Sequence, residues 1–160
     1  MIHTMSSSDT KDTNALPLRI GISRCLLGDP VRYDGGHKRN QWLVDILGRH
    51  VEWVPVCPEV EAGFGIPRES MRLVDDPNKP HMVTIRSTQD HTAPMNRYIK
   101  NRLRDLGTLD LAGYVFKKDS PSCGIQRVRV YHRDGHLIGK GKGIFANAFQ
   151  QAFPLIPIEE

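Results

Sequence analysis

The chain has few cysteines, few aromatic residues and no long hydrophobic run, and each shortage excludes a class of protein. Its 160 residues include three cysteines, an odd number at wide spacing, which argues against a secreted framework of paired disulfides. No segment approaches the roughly 20 apolar residues that a membrane-spanning helix needs. Aromatic residues make up 7% and do not alternate with a stripe of lysine and arginine. The sequence therefore argues against a membrane protein and against a nucleic-acid partner.

Motifs of three common cofactor sites are also missing. The chain has no Cys-x-x-Cys pair, which disfavours a dithiol redox enzyme. Its glycine-rich stretches do not form Gly-x-Gly-x-x-Gly between a strand and a helix, the pattern of a nicotinamide or flavin site. Residues 139–143 read Gly-Lys-Gly-Lys-Gly but lack the full phosphate-binding pattern of a P-loop. We interpret this segment as a flexible lid or a hairpin tail.

The composition that remains is typical of one globular domain. Charged residues make up 25% of the chain and hydrophobic residues 39%, and the length suffices for one core. A net charge of +4 suits an anionic ligand. Residues 1–17 are polar, with no apolar segment of the signal-peptide type, so we predict a disordered extension before a domain at residues 18–160. The cytoplasm is the expected compartment, and the oligomeric state leaves no signal in the sequence.

Strand patterns alternate with helix patterns along this domain. The predicted strands are residues 18–23, 51–57, 111–116, 128–131 and 155–158, and the predicted helices are residues 40–48, 92–106 and 144–152. The first helix is expected to start at an Asn40 cap and to bury Trp42, Leu43, Ile46 and Leu47. A hairpin is predicted around a turn at residues 76–80. The order indicates a single α/β domain, a mostly parallel sheet flanked by helices, with the hairpin as a flap.

All three cysteines follow predicted strands. Cys25 comes directly after the first strand, Cys57 ends the second, and Cys123 lies a few residues beyond the buried strand at 111–116. Pro55 and Pro58 stop regular pairing around Cys57, because proline cannot donate a ladder hydrogen bond. Ligands of mostly parallel sheets bind outside the carboxyl ends of the strands. We therefore predict that three thiolates meet in one crevice at this edge.

Three thiolates allow more than one kind of site. A zinc ion would take them together with water or a histidine, and His37, His81 and His91 are available, although none has a specific zinc-motif spacing. A [4Fe–4S] cluster held by three cysteines would leave one iron without a protein ligand, free to act as a Lewis acid. A non-enzymatic sulfur or metal carrier could use the same thiolates. The spacing alone does not choose among a zinc-dependent hydrolase or structural zinc protein, an iron–sulfur enzyme and a carrier.

Three segments around the cysteines resemble the signature segments of the thiouracil desulfidase family. They read Arg-Cys-Leu-Leu-Gly at 24–28, Cys-Pro-Glu-Val-Glu-Ala-Gly-Phe-Gly-Ile-Pro-Arg at 57–68 and Lys-Asp-Ser-Pro-Ser-Cys-Gly at 118–124. The likeness covers roughly residues 18–160. It implies a [4Fe–4S] cluster on Cys25, Cys57 and Cys123, with the fourth iron taking the sulfur of a thiolated pyrimidine. The implied reaction converts 2-thiouracil to uracil and sulfide without net redox change.

Polar residues beside the cysteines are candidates for the acid–base steps. Replacing sulfur by oxygen at a thiocarbonyl carbon requires a base that takes a proton from water. Glu59 is the first candidate for this base and Glu61 the second. Ser120 and Ser122 could position water or substrate, and Lys118 could offset cluster charge or contact the pyrimidine. The sequence does not choose among free 2-thiouracil, another thiopyrimidine and a thiolated nucleoside as the physiological substrate.

Overall fold

The computed structural model describes residues 16–160, so the predicted extension at residues 1–17 lies almost wholly outside the described residues. The strands are β1 Leu18–Ser23, β2 Val51–Val56, β3 Met71–Asp76, β4 Lys79–Thr84, β5 Gly113–Val115, β6 Val128–Tyr131, β7 Leu137–Gly141 and β8 Ile158–Glu159. The helices are α1 Gln41–Asp45, α2 Pro58–Glu61, α3 Thr92–Leu106 and α4 Ile144–Ala152, with 3-10 turns at Arg24–Leu27 and Leu47–Arg49. No helix in this part of the chain is both long enough and apolar enough to cross a membrane.

The first sheet has the strand order β2–β1–β5–β8 and all of its pairings are parallel. Ser23 pairs with Val56 at the ends of β1 and β2, and Ile22 pairs with Val115 of β5. These three strands therefore end level with one another, and the residues that follow them leave the sheet at one edge. The predicted α/β fold with a mostly parallel sheet is confirmed.

The second sheet is mixed, with the order β4–β3–β6–β7. The predicted hairpin is present as β3 and β4, and β3 also pairs in parallel with β6, so the flap is built into this sheet. The glycine–lysine segment at 139–143 supplies the end of β7, which pairs antiparallel with β6. This segment is therefore the second half of a hairpin.

A cluster of aromatic rings joins the first sheet to α4. Tyr114 and Phe116 stack with ring centroids 4.0 Å apart, and both pack against Phe145 and Phe149 of α4. All four side chains are buried. A Cβ at Gly21 would lie 2.2 Å from a Tyr114 ring carbon, so glycine is needed where this ring crosses β1. The core also includes residues of the second sheet and of α3: Leu73, Met82, Val128, Val130, Met95, Ile99 and Leu106.

Helices α3 and α4 begin and end where the sequence predicts, whereas α1 is shorter. The side chain of Asn40 accepts a hydrogen bond from the Leu43 N–H at 3.1 Å, as a helix cap should. Leu43 is buried, but Trp42 and Ile46 are 59% and 49% exposed, so the predicted burial of these two side chains is wrong. After Asp45 the chain continues as a 3-10 turn, with about three residues per turn, and the helical spacing of the apolar residues is lost.

Candidate functional site

The three cysteines line one cleft at the carboxyl edge of the first sheet. The cleft has a volume of about 210 Å³. Cys25 follows β1 in the 3-10 turn, Cys57 follows β2, and Cys123 lies in the loop after β5. Cys25 and Cys123 are buried and Cys57 is partly buried. The level ends of the three strands thus bring together thiols that are 32 and 66 residues apart in sequence.

Local sequence explains why Cys57 leaves the sheet at this point. β2 is an edge strand and Pro55 pairs with Ile22 within it, so the expectation that Pro55 stops regular pairing is wrong. Cys57 is the N-cap of α2, and Pro58 occupies the first helical position, where no N–H is needed. The carboxylate of Glu61 accepts a hydrogen bond from the Cys57 N–H at 3.0 Å. Strand, cap and helical turn therefore hold the Cys57 backbone at the cleft.

The loop that carries Cys123 is held by Ser120 and by the start of α4. The Ser120 hydroxyl oxygen accepts hydrogen bonds from the N–H groups of Ser122 and Cys123, at 3.3 and 3.1 Å. The Ala146 N–H of α4 donates to the Ser122 carbonyl at 3.1 Å. A Cβ at Gly143 would lie 2.5 Å from the Ser122 carbonyl carbon, so only glycine lets α4 approach this loop so closely. The glycine before α4 is therefore a packing residue of the site.

Glu59 projects into the cleft from α2 and is held on both carboxylate oxygens. Oε2 lies 2.8 Å from both Nε and Nη2 of Arg68, and Oε1 accepts a hydrogen bond from the Ser122 hydroxyl at 2.9 Å. The side chains of Arg68 and Glu59 are 7% and 12% exposed. Arg68 Nη1 also donates to the Val31 carbonyl at 3.0 Å. The pair is therefore a buried ion pair at the wall of the cleft.

Glu61 lies outside the lining of the cleft and faces α3. Its Oε2 accepts a hydrogen bond from the Tyr98 hydroxyl at 2.7 Å and lies 3.2 Å from Arg102 Nε. Its Oε1 accepts from the Cys57 N–H. Both oxygens of the second predicted base are therefore engaged in contacts that join α2 to α3.

Two neighbouring lysines lie at the rim and wall of the cleft. Lys118, the predicted lysine, lines the cleft with an exposed side chain. Lys117 is partly buried, and its N–H donates to the Ser23 hydroxyl at 2.9 Å. Burial lowers the pKa of Lys117, and the charge of Cys25 opposes that effect. The positive charge of Lys117 in turn lowers the pKa of Cys25.

The family model for 2-thiouracil desulfurase matches residues 20–160. The chain belongs to this family. A solved structure of a [4Fe-4S]-dependent thiouracil desulfidase, TudS, is 31% identical, with a TM-score of 0.68 over 89% of this chain and 91% of that chain. An uncharacterized Bacillus subtilis protein, YbbK, is 27% identical over 82% of this chain and 89% of its own length. The predicted family is confirmed.

The surroundings of all three thiols of this desulfurase favour the neutral form. Burial raises the pKa of Cys25 and of Cys57, and it raises the pKa of Cys123 to about 12. The charge of Glu59 raises all three further, while Lys117 lowers the pKa of Cys25. A thiolate is the form that ligates metal. These thiols would therefore need a bound cation to ligate as thiolates.

The three thiols do not form a compact ligand set for one zinc ion. Zinc–sulfur bonds of about 2.3 Å would place the sulfurs roughly 3.8 Å apart. Within residues 16–160, the only set of three His, Cys, Asp or Glu ligand atoms that lie within 4.8 Å of one another is on another loop. The sulfurs of Cys25, Cys57 and Cys123 are therefore not all within this distance of one another. His37, His81 and His91 do not line the cleft either.

Sequence reasoning missed two charged residues of this desulfurase site. Arg68 ends the segment that begins at Cys57, and its position in that segment was the available signal. Lys117 directly follows the buried Phe116 at the end of the strand run, next to the lysine that was predicted. Lys117 lies next to a predicted residue, whereas Arg68 lies nine positions after Glu59, and the partners of both come from other elements. Only the folded chain shows that Arg68 holds Glu59 and that the Lys117 N–H donates to Ser23.

Proposed function

We propose that this chain is a desulfidase that converts a thiolated pyrimidine such as 2-thiouracil to uracil and sulfide. Cys25, Cys57 and Cys123 would hold a [4Fe–4S] cluster. The observation that carries the proposal is that all three cysteines of the chain line one cleft, beside the buried carboxylate of Glu59. Family membership and the likeness to TudS support the reaction and the cofactor. Unpaired thiols in such a site suit a reducing compartment, and we propose the cytoplasm.

The reaction balances without electrons. When bound, the cluster supplies an iron without a protein ligand, a Lewis acid for the sulfur of the thiocarbonyl group. Water adds its oxygen to the thiocarbonyl carbon, the carbon–sulfur bond breaks, and sulfur leaves with the electron pair as sulfide. The carbon has the same oxidation state in substrate and product. No reductant is therefore required.

Glu59 is the base of this proposal. Arg68 occupies Oε2 and fixes the orientation of the carboxylate, while Oε1 faces Ser122. A carboxylate oxygen has two acceptor positions, so Oε1 can accept from a water molecule as well as from the hydroxyl. That water would pass its proton to Oε1 as its oxygen attacks the carbon. Glu61 faces α3 and does not line the cleft, which leaves Glu59 as the preferred base.

The serines and lysines would orient the reactants. The Ser122 hydroxyl links Glu59 Oε1 to the Ser120 hydroxyl, whose oxygen lies 3.1 Å away, and it also lies 3.6 Å from Cys123 Sγ. Ser120 thus positions Ser122 and the Cys123 backbone at the same time. Lys118 at the rim can donate to an exocyclic carbonyl oxygen of the pyrimidine. Lys117 offsets thiolate charge, since its charge already lowers the pKa of Cys25.

The test is anaerobic purification, analysis of iron and acid-labile sulfide, and a 2-thiouracil assay with and without dithionite. The proposal expects a brown protein that releases uracil and sulfide over many turnovers without reductant. Strict dependence on dithionite would overturn the non-redox reaction. A colourless protein that contains zinc would support the zinc hydrolase, and iron loading without sulfide release would support a carrier.

A further inference from the structure

The tip of the β6–β7 hairpin carries a second group of potential ligands, His132, Asp134 and His136, which we call the hairpin cluster. One ligand atom from each of these residues lies within 4.8 Å of the others. The three side chains are 57%, 56% and 65% exposed. None of them lines the cysteine cleft, and the proposed desulfuration does not use them.

The backbone of the turn places the two histidines opposite each other. The His132 N–H donates to the His136 carbonyl at 2.8 Å, and the Gly135 N–H donates to the His132 carbonyl at 2.9 Å. Gly135 has a φ of 104°, a left-handed conformation that glycine adopts without strain. The imidazole rings stack with centroids 5.0 Å apart and planes 10° from parallel. The turn therefore presents both rings on one side of the hairpin.

Both imidazole rings contact the Asp134 carboxylate through Nδ1. His132 Nδ1 lies 3.0 Å from Asp134 Oδ2, and His136 Nδ1 lies 2.7 Å from Asp134 Oδ1. The neighbouring cation, Arg133, places Nη2 2.7 Å from Asp75 Oδ2, so its charge is directed to another carboxylate. Two imidazole nitrogens and a carboxylate thus converge without a guanidinium between them.

We propose that the hairpin cluster binds one divalent cation of the zinc type through His132 Nδ1, His136 Nδ1 and an Asp134 oxygen. Imidazole and carboxylate ligands suit zinc and nickel, and three protein ligands leave a position for water. An imidazole that ligates a metal through Nδ1 carries its proton on Nε2. This site differs from the cysteine cleft in chemistry, because nitrogen and oxygen replace sulfur.

The experiment titrates Zn²⁺ into the cluster-loaded protein under anaerobic conditions, by calorimetry, with the brown absorbance monitored to show that iron stays bound. We expect one Zn²⁺ per chain at the hairpin. His132→Ala and His136→Ala should each weaken binding at least tenfold, because each removes one of three ligands. His50→Ala, which removes an exposed histidine outside the hairpin cluster, is the matched control and should bind as the wild type does.

Two further measurements keep the result decisive. Because an alanine variant can disturb the hairpin, a second variant of conserved size is needed. Asp134→Asn removes the anionic ligand but keeps the size of the side chain, and it should also weaken Zn²⁺ binding. Nitrogen-15 spectra of the rings should show Zn²⁺ on Nδ1 of His132 and His136. Unchanged affinity in the two histidine variants and in Asp134→Asn would overturn the proposal. So would a wild-type protein that takes no Zn²⁺, or spectra that place the ion on other nitrogens.

Discussion

Helix α2 lies between two polar clusters that hold its two carboxylates in different ways. On the cleft side, Glu59 is paired with Arg68 and its side chain is 12% exposed. On the opposite side, Glu61 meets Tyr98 and Arg102 of α3 and is 26% exposed. One carboxylate faces the three thiols, whereas the other joins two helices.

The difference follows from the helical turn. Residues two apart in a helix are separated by about 200° around its axis, so Glu59 and Glu61 cannot share a face. In an extended chain, two such residues would lie on the same side. A buried ion pair is costly to desolvate, so the pair at the cleft is weak evidence for stability and fits the role proposed for Glu59. Glu61, Tyr98 and Arg102 form a second group, which we call the outer cluster. Its contacts join α2 to α3, and Glu61 also caps α2 through the Cys57 N–H.

The largest effect is expected from the cysteines on the cleft side. Cys25→Ala, Cys57→Ala and Cys123→Ala should each abolish stable iron binding and turnover, because the cleft offers no other thiol. Iron and sulfide per chain, measured after anaerobic reconstitution, give the result. If one variant kept full iron content and activity, that cysteine would not be a ligand.

The next effect separates the two carboxylates directly. Glu59→Gln should lower kcat by about 10²–10⁴-fold while iron content stays normal, because a positioned proton-transfer group is lost. Glu61→Gln is the matched control, and its turnover should stay close to that of the wild type. Steady-state sulfide release under anaerobic conditions measures both. The reverse order of the two effects would transfer the role of base to Glu61.

Breaking the ion pair of the cleft should be measurable as lost stability. Arg68→Met leaves the Glu59 carboxylate buried without its cation, which should cost about 3–5 kcal/mol of unfolding free energy. Arg19→Met is the control, because Arg19 pairs with Glu52 at 3.1 Å through side chains that are 43% and 48% exposed. That change should cost less than about 1 kcal/mol.

Chemical denaturation of both variants makes this comparison, with the double variant Arg68→Met and Glu59→Gln as a further arm. The double variant should recover part of the loss, since no charge is then left buried alone. Equal losses in Arg68→Met and Arg19→Met would mean that burial of the pair has no energetic consequence.

The outer cluster should affect stability and leave catalysis alone. Tyr98→Phe removes the hydroxyl that donates to Glu61 and should cost about 1–2 kcal/mol of unfolding free energy. Turnover and iron content should remain those of the wild type. Denaturation and sulfide-release assays on one preparation test both halves. A loss of turnover without a loss of stability would show that the outer cluster takes part in the reaction.

The smallest effect is expected at Asp90, a surface carboxylate just before α3. Burial raises its pKa, but hydrogen bonds from Thr92 and His81 outweigh that effect and lower it to about 2. The folded pKa lies below the unfolded value of about 3.8, so the contribution to stability is present above pH 4 and is lost between about pH 4 and 2. Since the side chain is 40% exposed, this contribution should be about 1 kcal/mol or less.

Unfolding free energies of the wild type and of Asp90→Asn, compared at pH 6 and at lower pH, test this. The wild type should be more stable at pH 6, and the gap should close as the pH falls toward 2. A gap that widens on acidification would contradict the direction of the pKa shift. Asp90 thus provides an exposed carboxylate with which the contributions of the more buried Glu59 and Glu61 to stability can be compared.

The elements with strong local signals could be predicted from the sequence with their bounds. Helix Thr92–Leu106 has Pro94 in its first turn and a regular apolar face. Helix Ile144–Ala152 begins directly after Gly143, which is its N-cap. The meeting of the three cysteines also follows from local patterns, because each comes after a strand and parallel strands end at one edge. The family resemblance rests on the same segments.

The rest was decided by tertiary structure. The pairing of Glu59 with Arg68 and Ser122 joins residues 9 and 63 positions apart, and the joining of the hairpin to β6 depends on a pairing between Leu73 and Val130. Neither contact leaves a period in the sequence. Periodicity reports which side of one element is buried, whereas partners between elements depend on how strands align and helices pack. The sequence alone therefore determined the thiols and their edge of the sheet, and only the packed chain determined which carboxylate stands beside them.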